Sequence, residues 1–225
     1  IEDSLGVLTT TLANDADPLS GLVRISTPDG FGAAFVTPAL IKLQREHPKL
    51  NVEMISVTRK INQNRSGVDL EVVVGPIDAS RAQTIFLTNY FLRLYASPEY
   101  LAVRGTPETV DDIKNHNFVS YVESSLQVAE LGHRSSQLPE PTASFQSTSI
   151  FAQVEAVRRH SGIGLLPSFM VWGRPGFVPV LSDAFHRELP IWAAARAESL
   201  RSMAVKAAIE AIRHEISERR SELAA

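Results

Sequence analysis

Between Gly21 and Gly75 the apolar positions alternate between short runs and amphipathic stretches. Leu22, Val23 and Ile25 make a strand-like run that stops at the polar, turn-prone Ser26-Thr27-Pro28-Asp29-Gly30. Behind it Phe31, Phe35, Ala39 and Leu43 recur every four residues, with Leu40 beside them, on one face of a helix closing at His47-Pro48. Pro38 either kinks this helix or sits at its first position behind Thr37. Leu50–Thr58 alternates Leu50, Val52 and Met54 with Asn51 and Glu53 before turning wholly apolar, which predicts a second strand. Arg59–Gly67 is polar and reads as a short helix, and Val72-Val73-Val74 reads as a buried strand stopped hard by Gly75-Pro76. Three strands with helices between them predict a parallel sheet in an α/β fold.

The second half repeats the grammar less cleanly. Phe86–Ser97 holds one or two strands, Pro98 and Thr109 each open a short helix, and Phe118–Tyr121 is a strand. Glu123–Pro141 has weak periodicity and reads as a polar excursion. Ala143–Phe145 predicts a strand leading through Ser147-Thr148-Ser149 into a helix with Ile150, Val154 and Val157 on one face. Gly162–Pro167, Phe177–Leu181 and Pro190–Ala195 read as the last strands. The clearest helix closes the chain, with Val205, Ile209, Ile212 and Ile216 as its stripe. Two small α/β lobes with a cleft between them follow from this division.

Composition narrows the function classes. At 225 residues the chain suits one large domain or two lobes. A net charge of −3 implies no basic face, so this stretch is a poor candidate for gripping nucleic acid itself. The absence of cysteine excludes disulfides and thiolate metal sites, and fits a reducing cytoplasm. No apolar run approaches the ~18 residues of a membrane-spanning helix. The first residue is Ile1 rather than Met, and Asn14-Asp15-Ala16-Asp17-Pro18 breaks a short helix capped by Asp3 or Ser4. Residues 1–20 are therefore expected to be a linker from a preceding domain.

A search for catalysis comes up empty. The six histidines are scattered without an i, i+4 pair, no serine sits in a Gly-x-Ser-x-Gly turn, and Gly162-x-Gly164 lacks the third glycine of a dinucleotide fingerprint. Asp69 and Glu71 share a strand face, the usual place of solvated carboxylates. What remains is recognition. Thr27, Thr58, Ser147 and Thr148 put hydroxyls at strand ends or helix starts, where open α/β sheets hold their ligands. The same residues also serve as ordinary helix caps. Arg59, one residue past a strand end, could clamp an anion.

The order of several segments carries a family likeness. They are Gly21-Leu22-Val23-Arg24-Ile25-Ser26 before a helix ending in Glu46-His47-Pro48, Leu50-Asn51-Val52-Glu53, and Val68-Asp69-Leu70-Glu71-Val72-Val73-Val74-Gly75. Tyr95-Ala96-Ser97-Pro98-Glu99-Tyr100-Leu101 and Gly162-Ile163-Gly164-Leu165-Leu166-Pro167 follow. Together they resemble the effector-binding domain of LysR-type transcriptional regulators.

The resemblance implies two Rossmann-like lobes of the type II periplasmic-binding-protein kind, with crossover segments near Tyr95–Ser97 and Ala193–Arg196. Lobe I would be residues 21–95 plus 196–225, and lobe II residues 96–195. Residues 1–20 would then be the tail of an N-terminal winged helix-turn-helix domain, the sole route to DNA. It places a small-molecule effector at Thr27, Pro28 and Asp29, at Thr58 and Arg59, and at Gly75 and Pro76. From the second lobe it adds Tyr121 and Val122, then Gln146, Ser147 and Thr148, and Pro167. The expected effector is a carboxylate or a zwitterion. Asp29 departs from a purely anion-seeking cleft, which a zwitterion, a hydroxylated effector or an Asp29–Arg59 pair would accommodate. The family's habit also implies a cytoplasmic homodimer or homotetramer with no membrane contact, its helix Phe31–His47 lying antiparallel to Ile150–Arg159 of a second copy, with Phe151 in the contact. No cofactor, metal or catalytic residue is expected. The rival expectations are a solute-binding protein of a transporter and an enzyme on the same fold.

Overall fold

The computed structural model describes residues 19–56, 67–75, 82–126, 131–132 and 137–224. Residues 1–18 of the expected linker, 59–66 of the helix after the second strand, and 127–130 and 133–136 of the polar excursion lie outside these residues. Among the described residues the strands are β1 (Gly21–Thr27), β2 (Leu50–Ser56), β3 (Leu70–Val74), β4 (Gln83–Ala96), β5 (Asn117–Ser120), β6 (Ala143–Gln146), β7 (Ile163–Pro167), β8 (Val178–Val180) and β9 (Arg187–Ala195). They form one mixed sheet in the order β2-β1-β3-β9-β4-β7-β5-β6, with β8 also on β4.

The expected parallel pairing holds within each half: β1 lies parallel to β2 and β3, and β5 lies parallel to β6 and β7. Two long antiparallel strands join the halves. β4 is a single strand that pairs with β9 from Gln83–Ala195 to Leu92–Arg187 across a bulge between Phe86 and Thr88. β9 binds the first half through Ile191–Ala194 on β3, and β4 binds the second through Leu92–Tyr95 on β7. A bulge bends and twists a strand locally, and this one lies between the stretches of β4 that face the two halves. Of the segments expected to cross, Tyr95 and Ala96 end β4, and Ala193–Ala195 end β9. Apolar runs mark where a strand exists but not where it changes partner.

The helices are α1 (three continuous segments, Asp29–Phe31, Gly32–Val36 and Thr37–Glu46), α2 (Pro98–Arg104), α3 (Ile150–Arg158), α4 (Ser168–Val171), α5 (Met203–Glu218) and α6 (Arg220–Ala224). Val205, Ile209, Ile212 and Ile216 of α5 are all buried, as their spacing predicts. Ser149 and Ser202 cap α3 and α5, each accepting a backbone N–H on its hydroxyl.

Pro38 follows an irregular turn as the second residue of the segment Thr37–Glu46, one place later than a start behind Thr37 would put it. It offers no N–H to the Ala34 carbonyl four residues back, and its ring would crowd that carbonyl in a regular helix. The helix widens instead into a π turn at Gly32–Val36, with the Thr37 N–H reaching the Gly32 carbonyl. Gly32 is the small residue this requires: a Cβ there would stand 2.4 Å from Thr27 Cγ2. The orphaned Ala34 carbonyl accepts from Arg219 Nη1 at 2.5 Å, just beyond α5. The guanidinium lies 4.5 Å from the centre of the Phe35 ring. Glu222 receives it through two bonds of 2.6 and 2.7 Å, and Glu215 through one of 3.2 Å.

Glu215 is buried and also accepts from Lys42 Nζ of α1 at 2.7 Å. Burial alone would raise its carboxyl pKa. Hydrogen bonds from Lys42 and Arg219 outweigh burial and hold the value below that of a free carboxyl. A depressed carboxylate stabilises the fold above the unfolded value of about 4.3 and ceases to as pH falls through its folded value. Glu215→Gln is therefore expected to cost about 1–3 kcal/mol at neutral pH. In urea unfolding the gap to the parent chain should shrink on acidification below about pH 4; a gap independent of pH would contradict the ionic role.

Candidate functional site

The carboxyl ends of β1 and β3 face those of β5 and β7, and between them lies a cavity of about 80 Å3. From the first half, Pro28, Asp29, Gly30 and Phe31 enter it at the start of α1, with Val72 and Val74 from β3. Tyr90 comes from β4, and the second half supplies Tyr121, Thr148, Ile150, Pro167 and Phe169. An aromatic cluster forms its base. Phe31 stacks on Phe35 with centroids 5.1 Å apart, and Phe169 meets both edge-on at 6.0 and 5.6 Å. Tyr90 meets Phe169 at 5.5 Å. Each such pair contributes roughly 0.5–1.5 kcal/mol beyond its buried area. The cluster thus ties α1 to β4 and α4 across the cleft.

Gly30 sets how closely the halves approach. A Cβ at this position would lie 3.1 Å from both Ile150 Cγ2 and Met170 Sδ, tighter than ordinary contact, so the missing side chain eases the close approach of α1 to α3 and α4.

The polar groups in this apolar space are few. Tyr90 is 3 % exposed, and among the described residues neither its hydroxyl nor that of Tyr121 makes a hydrogen bond. Burial raises the Tyr90 phenol well above its ordinary pKa, with the neighbouring Tyr121 adding to it. Burial also raises Tyr121, and the nearby Asp29 carboxylate pushes in the same direction. Both phenols therefore stay neutral across the physiological range. Asp29 sits in the first turn of α1, where the helix dipole favours an acid, and has no ion pair among the described residues. None of the described lining residues is Lys, Arg or His.

Of the positions expected from sequence, the fold gathers Pro28, Asp29, Tyr121, Thr148 and Pro167 around this cavity. Thr27 is fully buried and donates from Oγ1 to the Pro28 carbonyl at 3.3 Å, so it shapes the turn. Gly75 donates its N–H to the Pro190 carbonyl at 2.9 Å, pinning the end of β3 to β9. Ser147 accepts from the Ser149 N–H at 3.1 Å and from Gln153 Nε2 at 2.9 Å, bracing the start of α3. Val122 and Gln146 line a separate hollow with Glu123 and Ser144. Thr58, Arg59 and Pro76 lie outside the described residues.

Sequence reasoning passed over Tyr90, which sits mid-strand without a motif, and treated Phe31 and Ile150 as plain core residues. It also expected Asp69 and Glu71 to be solvated. Glu71 is only 7 % exposed and lines the cavity, while Asp69 Oδ2 accepts the Arg24 N–H at 2.9 Å. The run of valines that follows Glu71 was the available signal for a strand buried on both faces.

Comparison with known proteins decides the family. The LysR substrate binding domain matches residues 16–217. The chain belongs to this family. An uncharacterized HTH-type transcriptional regulator of Haemophilus influenzae is 31 % identical over 155 residues, which is 68 % of this chain and 54 % of that protein. The HTH-type transcriptional activator TtdR of Escherichia coli K12 is 26 % identical over 199 residues, 84 % of this chain and 63 % of TtdR. The chain thus spans little more than half the length of such relatives. Among solved structures, the regulatory domain of CrgA from Neisseria meningitidis superposes with a TM-score of 0.74 at 20 % identity, covering 87 % of this chain and 98 % of that one. The CrgA structure that covers 95 % of this chain, and is itself covered to 74 %, gives 0.78 at 18 % identity. This LysR substrate-binding domain therefore has the two-lobed α/β fold of the periplasmic-binding-protein kind. No helix among its described residues is long and apolar enough to cross a membrane.

The two unpartnered phenols lead to a titration test. Because their folded pKa values are raised, the unfolded chain ionises first above about pH 10, and stability should fall as pH rises past that point. Ultraviolet difference titration is expected to show a late-ionising fraction of tyrosine that disappears in the Tyr90→Phe, Tyr121→Phe double variant. An unchanged curve would place both phenols in ordinary solvent.

Proposed function

We propose that this domain binds a small effector in the cavity between its lobes and passes the resulting change of shape to a DNA-binding domain elsewhere in the full-length regulator. The observation that carries the reading is that the cavity wall is drawn from both lobes, with the starts of α1, α3 and α4 meeting around it. A molecule held there touches both sides at once and favours the closed arrangement by its difference in affinity. Lobe I is taken as the β1, β2 and β3 half with α1 and α5, lobe II as the β5, β6 and β7 half. In this reading the change of lobe falls at the bulge in β4 and its partner segment of β9, between the ends expected at 95 and 196, and the register shift there supports it. Of the effector classes expected, a zwitterion suits the described lining better than a bare carboxylate, which Asp29 would oppose.

Two sheet-edge surfaces support self-association. Ile41 and Met54, on α1 and β2, and Phe145 and Phe151, on β6 and α3, are between 38 and 45 % exposed although large and apolar. The first pair flanks one end of the sheet and the second pair the other. An antiparallel homodimer covers both sets twice by setting one end against the other. The working state proposed is a cytoplasmic homodimer, or a homotetramer built from it, acting as a regulator rather than an enzyme.

Two measurements test this. An effector should raise the melting temperature without being consumed, and Thr148→Phe, which fills the cavity, should abolish the rise while Thr148→Val keeps it. A rise that survives Thr148→Phe would move the effector elsewhere. The Ile41→Glu, Phe151→Glu double variant, which sets like charges against each other, should sediment as a monomer with unchanged circular dichroism; a persisting dimer would reject this interface.

A further inference from the structure

Resting on the effector reading, we infer that the cavity selects a compact apolar amine, with the ammonium group paired to Asp29 and its remaining N–H groups donated to the phenol oxygens of Tyr90 and Tyr121. Three observations converge on this. Asp29 is a half-buried carboxylate at the cavity wall with no ion pair among the described residues. The helix start already favours this carboxylate, and an external cation would be its first ion-pair partner, none being present among the described residues. Tyr90 is 3 % exposed, yet its hydroxyl has no hydrogen bond within the described residues. The hydroxyl is not one of the enclosed polar atoms without a partner, and Tyr90 lines the cavity, where a guest can bond to it.

The third observation concerns charge and size. Asp29 already raises the Tyr121 phenol, which shows that its field reaches across the cavity mouth. A ligand carboxylate brought beside Asp29 would meet the same repulsion, whereas an ammonium group would relieve it. Glu71, the other acid at the wall, carries interactions of its own, so among the described residues Asp29 is the group left to define the charge of the ligand. The volume of about 80 Å3 admits several water-sized units, which suits a branched chain or small ring. Phe31, Ile150 and Phe169 supply the apolar walls for it.

The experiment uses three probes sharing one skeleton: 3-methylbutylamine, 3-methylbutan-1-ol and 3-methylbutanoate. Thermal unfolding of this chain is followed with each probe, in parent, Asp29→Asn, Tyr90→Phe and Thr148→Phe forms, every variant being referred to its own ligand-free melting temperature. The amine is expected to give the largest rise. Asp29→Asn should weaken its apparent affinity by about tenfold or more and leave the alcohol unaffected. Tyr90→Phe should weaken both. A larger rise with the carboxylate, or an amine effect untouched by Asp29→Asn, overturns the inference while the cavity remains the effector site. If no probe raises the melting temperature, or if the rises persist in Thr148→Phe, the reading of the cavity as the effector site falls as well.

Discussion

A proline in the middle of α1 leaves one carbonyl without a donor, and the way that carbonyl is satisfied governs the rest of the site. Ala34 loses its regular partner at Pro38, the helix widens through Gly32–Val36, and Arg219 reaches back from the end of α5 to supply the missing hydrogen bond. The charge that arrives with Arg219 is neutralised by Glu215 and Glu222, and its guanidinium covers Phe35. Phe35 in turn stacks on Phe31 and meets Phe169. The direction in which Asp29 and Gly30 enter the cavity is thus anchored by a residue 185 positions beyond Ala34.

This arrangement joins stability to function through one helix. The amino-terminal segment of α1 carries the residues that line the cavity, and its remaining turns pack on α5 through Lys42 and Glu215. A π turn between the two segments marks the place where the helix departs from regular geometry, and such turns recur at functional sites. The lobes are joined by β4 and β9, which stay paired with each other on both sides of the Leu87 bulge. Relative motion of the lobes can therefore be taken up as twist in a paired ribbon, without breaking the sheet. Close contacts at Gly30 on one side of the cavity and the ribbon on the other leave a guest few ways to bind without touching both lobes.

The α/β class, the parallel pairing within each half and the apolar stripe of α5 were legible because each rests on local periodicity. The five cavity residues that were anticipated, Pro28, Asp29, Tyr121, Thr148 and Pro167, lie at strand ends or helix starts, where topology alone directs a ligand. Thr27 and Ser147 occupy the same kind of position and turn inward to brace the backbone. A hydroxyl at a helix start serves a cap and a ligand equally well, and only its final neighbours distinguish the two. Tyr90 was missed for the opposite reason: alternation along β4 marks it as inward-facing but says nothing of whether its hydroxyl meets protein or empty space.

The sequence by itself determined where helices and strands form, because backbone preference and side-chain period act over a few residues. It also determined that a proline would disturb α1, since the missing N–H is a property of that residue alone. Only the tertiary structure decided how the disturbance is resolved, where β4 and β9 pass from one half to the other, and which side chains share the cavity. Those outcomes depend on contacts between residues far apart in the chain, such as Ala34 with Arg219 and Gly30 with Ile150 and Met170, whose geometry no local pattern encodes.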